Sequence, residues 1–431
     1  FNKDLQMKAE TIVLHEGHRK DDNTKSVAVP IYQTTSFQFD NTEHASKLFS
    51  LQELGNIYTR IMNPTTAVLE QRMSKIDGGV AGLAVSSGQS ATALAVQNIC
   101  HSGDNFLSST DLYGGTWNLF SNTFKEMGIE CRFVNPSNPE DFRNAIDEKT
   151  RCIYAETLPN PKLQVFPIQE VSKIGLDHNI PLIMDNTAAP IICNPIEHGA
   201  SIVVYSTTKF IGGHGLSIGG LIIDSGKFDW ESAGEKFPML NQPDPSYHGA
   251  VWTQAAKPLG PIAYILKARV TLLRDMGCAM SPFNAFTFIQ GMETMPLRME
   301  RHCKNAEKVS EFLNSHPKVS KVIYPSLMKG KYLERAKGHL KNGFGALLGF
   351  ELEQGEKAGK SFIDNLNLFY HVANIGDSRS LAIHPSSTTH SQLSEDEKLS
   401  SGVTPGYVRL SIGIEHIDDI LNDLEQSLSK V

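Results

Sequence analysis

No run in this 431-residue chain is apolar for long enough to span a bilayer. The opening residues lack the basic stretch and hydrophobic core of a secretory signal. Cysteine is scarce. Cys100, Cys131, Cys152, Cys193, Cys278 and Cys303 stand singly in apolar surroundings, with no metal or redox spacing. That excludes a disulfide framework and a zinc site, and it suits reduced thiols in the cytoplasm. None has a local context that would activate a nucleophilic thiol. Basic residues are not in excess: the net charge is −7, which argues against nucleic acid or an anionic membrane as partner. Internal repeats and low-complexity tracts are absent as well. What is present is a 40% hydrophobic, 20% charged composition. It suits a globular protein of roughly two to three domains.

The chain divides into three parts. Residues 1–62 are mixed and polar and read as an extended arm with an early helix. From 63 to 259, short apolar runs alternate with helical patterns. Strands are expected at Ala81–Ser86, Asn105–Ser108, Cys131–Val134, Cys152–Glu156, Pro181–Asp185 and Ser201–Tyr205, with a helix over Ser90–Ile99. Such alternation predicts an α/β fold with a mostly parallel, doubly wound sheet. Residues 237–248 form a proline-rich loop. Residues 260–431 read as a long helical region, to about Leu313, followed by a smaller α+β domain with strands at Gly345–Leu352 and Val408–Ile412.

Residues 205–220, YSTTKFIGGHGLSIGG, carry the strongest chemical signal. Lys209 stands just past an apolar run, among hydroxyls and glycines. Desolvation lowers a lysine pKa, and a neutral amine is a nucleophile toward aldehydes. The neighbouring hydroxyls of Ser206 and Thr208 suit a phosphate. Aldehyde plus phosphate suggests pyridoxal 5′-phosphate held on the lysine as a Schiff base. Taken alone, the segment reads more readily as a surface lysine on a turn.

Other segments bear on that choice. Asp185 ends a strand, where open α/β sheets place ligands, and would partner a pyridine nitrogen; alone it reads equally as a turn cap. Ser86–Ala91 passes from strand to helix through Gly88 and Gln89, and a helix start favours an anion. Tyr113, in DLYGGT, could stack on a planar cofactor or simply pack against a helix. Tyr58 and Arg60 pair a phenol with a guanidinium, suited to phosphate or to solvent. Arg409, and second Arg379, are candidates to clamp a carboxylate, although an arginine on a strand is more often structural. His214, His248, His384 and His390 lie at no metal-ligand spacing.

Together these segments resemble the cystathionine γ-synthase-like branch of pyridoxal-phosphate enzymes of cysteine and methionine metabolism. The likeness runs from about residue 10 to 428. It is carried by YTRIMNPT at 58, SSGQSAT at 86, DLYGGT at 111, ETLPNP at 156, DNT at 185, STTKFIGGHG at 206 and VRLSIGIEH at 408. The resemblance implies fold type I of the pyridoxal-phosphate-dependent transferases, with a seven-stranded sheet in the large domain. It implies Lys209 as Schiff-base lysine and proton shuttle, and Asp185 as the pyridine partner. Gly88, Gln89, Ser206 and Thr208 become the phosphate cradle and Tyr113 the stacking ring, which also helps protons move. Asn160 becomes a contact of both cofactor and substrate. Arg409, with Arg379 and Ser380, becomes the substrate-binding group. Tyr58 and Arg60 are implied to reach the neighbouring subunit's phosphate, in a homodimer or homotetramer.

Within that branch, residues 237–249 and 374–390 resemble the subgroup that joins O-acetyl-L-homoserine and sulfide. Gly115 stands where methionine γ-lyases typically carry cysteine. The alternatives are a methionine or cystathionine γ-lyase, a cystathionine γ-synthase, and a pyridoxal-phosphate-binding scaffold without catalysis. The sulfur donor is free sulfide, another thiol or a sulfur-carrier protein, and the ester is acetyl or succinyl.

Overall fold

The β-branched runs fold into strands whose alternate residues are buried on both faces, as a sheet covered by helices requires. In the computed structural model, which describes residues 7–389, 391, 398–399 and 401–431, seven strands form the larger sheet. They are β1 (Ala81–Val85), β2 (Asn105–Ser109), β3 (Glu130–Val134), β4 (Thr150–Glu156), β5 (Leu182–Asp185), β6 (Ile202–Ser206) and β7 (Gly220–Asp224). Their order is β1-β7-β6-β5-β4-β2-β3. In β6, Val203 and Tyr205 enter one core cluster while Ile202 and Val204 enter the other. The sheet is mostly parallel. Only β7 runs antiparallel to both its neighbours, β1 and β6.

The six strands expected from the apolar runs are present within a residue or two. The seventh, β7, was not placed from the sequence. It follows a glycine-rich loop, residues 207–219, that holds no crossover helix, so the chain returns antiparallel beside β6. That loop carries Lys209.

The long helical region is broken into pieces. Ala263–Met276 packs on the sheet face that also buries Leu94 and Ala95. It stops at Gly277, whose φ of 77° is left-handed. Ser281 caps the next helix, Pro282–Glu293, and the 21-residue helix Met295–Ser315 restarts after it. This last helix supplies Ala306, Val309 and Leu313 to the core of a second sheet. That sheet holds β8 (Val319–Ile323), β9 (Leu347–Leu352), β10 (Tyr370–His371), β11 (Leu381–Ile383) and β12 (Tyr407–Ser411), in the order β10-β11-β12-β9-β8. The expected strands are β9 and β12. The other three are short or half-exposed, and their apolar signal is weak.

The arm contains two short helices, α1 (Ala9–His15) and α2 (Thr42–Phe49), and leads into α3 (Pro64–Asp77). Asn63 accepts the Thr65 N–H to start α3. No helix among the described residues is long and apolar enough to cross a membrane. The described residues contain no cluster able to hold a metal ion, and all six cysteines are free thiols. His390 lies outside the described residues.

Candidate active site

The carboxyl ends of β4, β5 and β6 open onto one cavity of about 320 Å³. The helix α4 (Gly88–Gln97) and the small-domain residues Asn374 and Arg409 close its other sides. This edge is where open α/β sheets collect ligands.

Lys209 reaches the cavity from a tight turn after β6. Its N–H donates to the Ser206 carbonyl at 3.3 Å, and its own carbonyl accepts from Gly213 at 2.8 Å. Its ammonium donates to the side-chain oxygen of Asn374. Burial, and secondly the charge of Arg409, push the amine down to about 8. Arg409 projects from β12, donates to the Asn374 carbonyl at 3.0 Å, and is itself held below its usual range by burial. One residue, Asn374, therefore binds both cavity cations, through its side chain and its backbone.

Asp185 and Glu156 are register partners at the ends of β5 and β4. Asp185 accepts the Thr187 N–H at 2.9 Å, and Tyr154 donates to its other oxygen at 3.4 Å. Glu156 accepts the Tyr113 N–H at 2.6 Å. Burial raises both carboxyls, and Glu156 is raised further by the charges of Asp185 and Asp111.

The cradle forms where α4 starts against the end of β6. Ser87 caps the helix by accepting the Ser90 N–H at 3.0 Å. The first-turn N–H groups of Gly88 and Gln89 have no partner within the helix, by its geometry. A Cβ at Gly88 would lie 2.6 Å from that of Ser206, so only glycine lets the helix approach this closely. Ser206 donates its N–H to Thr187, and Thr208 accepts the Gly219 N–H.

The structure thus brings Lys209, Asp185, Gly88, Gln89, Ser206, Thr208, Tyr113, Asn160 and Arg409 to one cavity. It places the remaining candidates elsewhere. Arg379 is held by both oxygens of Asp377, at 2.8 and 2.9 Å, and stacks over Tyr370. Ser380 is buried and donates to Glu415. Tyr58 and Arg60 lie in the arm, away from the walls of this cavity, with Arg60 over the Tyr58 ring and bonded to the Arg274 carbonyl. Glu156, Thr187 and Asn374 line the cavity without having been singled out. The first two stand inside motifs already noted: Glu156 opens ETLPNP and Thr187 closes DNT. Asn374 opens the 374–390 stretch already noted, but only the docking of the small domain brings it to the cavity.

This donor set fits pyridoxal phosphate. A half-buried amine, a half-buried carboxylate without a cation at hydrogen-bond distance among the described residues, and a glycine-tight helix start share one cavity. So does the buried Asn160 side-chain oxygen, which has no hydrogen-bond partner among the described residues. Lys209 would bond the aldehyde, Asp185 would face the pyridine nitrogen, and the α4 start with Ser206 and Thr208 would take the phosphate.

Fold and site define a pyridoxal-phosphate-dependent enzyme with a large α/β domain and a smaller α+β one. The chain belongs to the Cys/Met metabolism PLP-dependent enzyme family, whose pattern spans residues 10–429. It is 56% identical to the O-acetyl-L-homoserine sulfhydrylase of Leptospira meyeri, covering 98% of this chain and 97% of that one. It is 47% identical to the homocysteine/cysteine synthase of Saccharomyces cerevisiae, covering 98% of both. A Campylobacter jejuni crystal structure, designated an O-acetylhomoserine (thiol)-lyase and carrying a pyridoxyl-lysine monophosphate, superposes with a TM-score of 0.93. Identity there is 40%, over 98% of this chain and all of that one.

Proposed function

We propose that this enzyme performs γ-replacement, converting O-acetyl-L-homoserine and sulfide to L-homocysteine and acetate. The observation that carries the reading is full-length similarity to relatives named for that reaction, in a chain whose cavity holds Lys209, Asp185 and Arg409 together. The carbon–oxygen bond at the γ-carbon breaks and acetate leaves with the electron pair. A carbon–sulfur bond forms in its place.

When bound, pyridoxal phosphate supplies an electron sink for the charge left by α-proton removal. The chain supplies the rest. Arg409 binds the substrate α-carboxylate, and Asn160 shares that contact. Lys209, once its amine is free, takes the α-proton and returns it; its depressed pKa keeps a useful neutral fraction near neutral pH. Asp185 would hold a proton on the pyridine nitrogen. Tyr113 would cover the ring and help protons move. Arg379 and Ser380, bonded to Asp377 and Glu415 away from the cavity, stand in reserve, Arg379 as the second candidate for the carboxylate.

The arm, residues 1–62, would carry Tyr58 and Arg60 to the phosphate of a second copy, giving a homodimer or homotetramer. Six cysteines without a disulfide among them support a cytoplasmic location. Steady-state rates with O-acetyl- and O-succinyl-homoserine, each with sulfide or cysteine, test the assignment. The acetyl ester with sulfide is expected to give the highest kcat/KM. Preference for cysteine would make the enzyme a cystathionine synthase.

A further inference from the structure

Glu156 lines the cavity, yet none of the roles above uses it. It ends β4 directly beside Asp185, its partner in parallel register. Such partners point to the same face on strands about 4.8 Å apart. Glu156 is 9% exposed, and its one donor among the described residues is the Tyr113 N–H, at 2.6 Å. The groups facing it are Asp185 from β5, Tyr154 from its own strand, and Asp111 after β2, itself paired with Lys162 at 2.6 Å. Lys209 and Arg409 are the cations of the same cavity and bond Asn374 rather than Glu156.

Two adjacent carboxyls at a buried edge do not both ionise. Asp185 has two donors, Thr187 and Tyr154, and would face a cationic pyridine ring. Glu156 has one donor and two neighbouring anions. The proton therefore belongs on Glu156.

We propose that Glu156 is a positioning residue of the cofactor site: a carboxylic acid that stays uncharged beside Asp185 and seats the stacking tyrosine by accepting the Tyr113 backbone N–H. The single negative charge at the pyridine end is then that of Asp185. The oxygen of Glu156 fixes the amide side of Tyr113, a residue 60% exposed at the cavity mouth, whose carbonyl accepts the Trp117 N–H at 3.0 Å.

This rests on the pyridoxal-phosphate site and not on the nucleophile, so a different product would leave it standing. The test uses Glu156→Gln, Glu156→Asp and Glu156→Ala. Each is measured by titrating cofactor-free protein with pyridoxal phosphate and by following the bound cofactor's visible absorbance against pH. Gln preserves the neutral acceptor at the same reach, so its Kd and absorbance midpoint should match the parent. Asp keeps a carboxyl group but falls short of Tyr113, and Ala lacks the acceptor. Both should weaken cofactor binding roughly three- to tenfold, the value of one hydrogen bond. The reverse order, with Asp preserved and Gln impaired, would show an ionised Glu156 and overturn the proposal. So would a midpoint shift of about a unit or more in Gln, or no change in any variant. If Ala fails to fold, the Gln and Asp pair still decides.

Discussion

At the residue scale, Lys209 is held in a state that folding disfavours. Its amine is buried, and its pKa is pushed down to about 8, while an exposed lysine titrates near 10.4. Between those values the unfolded chain binds more protons than the folded one, so the stability of cofactor-free protein should rise with pH across that window. Below about pH 8 the penalty is fully present. Lys209→Met should therefore stabilise cofactor-free protein at pH 7, by about 2 kcal/mol. Denaturant midpoints taken from pH 7 to 10 would show it, with the variant losing part of the slope; the buried Lys267, also lowered to about 8, retains the rest. Lys209→Ala should abolish turnover and the visible absorbance of the bound cofactor. Retained activity would move the base elsewhere. Arg409→Ala should raise KM by roughly a hundredfold, with a smaller effect on kcat, because a buried carboxylate clamp acts in binding. An unchanged KM would transfer that role to Arg379, which the structure shows already committed to Asp377.

At the scale of elements, the cradle depends on how closely α4 meets β6. Gly88→Ala would put a methyl 2.6 Å from the Ser206 Cβ and force the helix start away. Cofactor affinity should fall about tenfold or more while the fold persists, since the clash lies at an edge and not in the core. An absorbance titration reads this directly, and an unchanged Kd would place the phosphate elsewhere. Much of this scale was legible in the sequence. Six strands of the large sheet announced themselves as apolar runs bounded by polar turns. Lys209, Asp185 and Gly88 each stood at the end of such a run, where topology delivers them to one edge. The strand β7 hid behind the glycine loop, because glycine masks where a strand begins. Asn374 and the pairing of Glu156 with Asp185 were invisible for another reason. Both residues stand in segments that the sequence marks, but their contacts depend on which strands become neighbours or how the small domain docks.

At the scale of the whole molecule, two sheets share the long helix Met295–Ser315, and the small domain brings Arg409 and Asn374 to the mouth of the large one. The arm's Tyr58 and Arg60 do not line their own chain's cavity. If they complete a second copy's site, Arg60→Ala and Lys209→Ala proteins, each impaired alone, should regain activity when mixed and allowed to exchange subunits. One mixed site would then carry an intact lysine and an intact arm. No recovery, in a sample shown by sedimentation to contain mixed oligomers, would confine each site to one chain.

The central claim is that sulfide, not water, ends the reaction at this cavity. Pyridoxal-phosphate-loaded enzyme should be given O-acetyl-L-homoserine with and without sulfide, and its products identified. Homocysteine formed only with sulfide, with little 2-oxobutyrate in its absence, is the predicted result. Abundant 2-oxobutyrate in both cases would make the enzyme a γ-lyase and contradict the account.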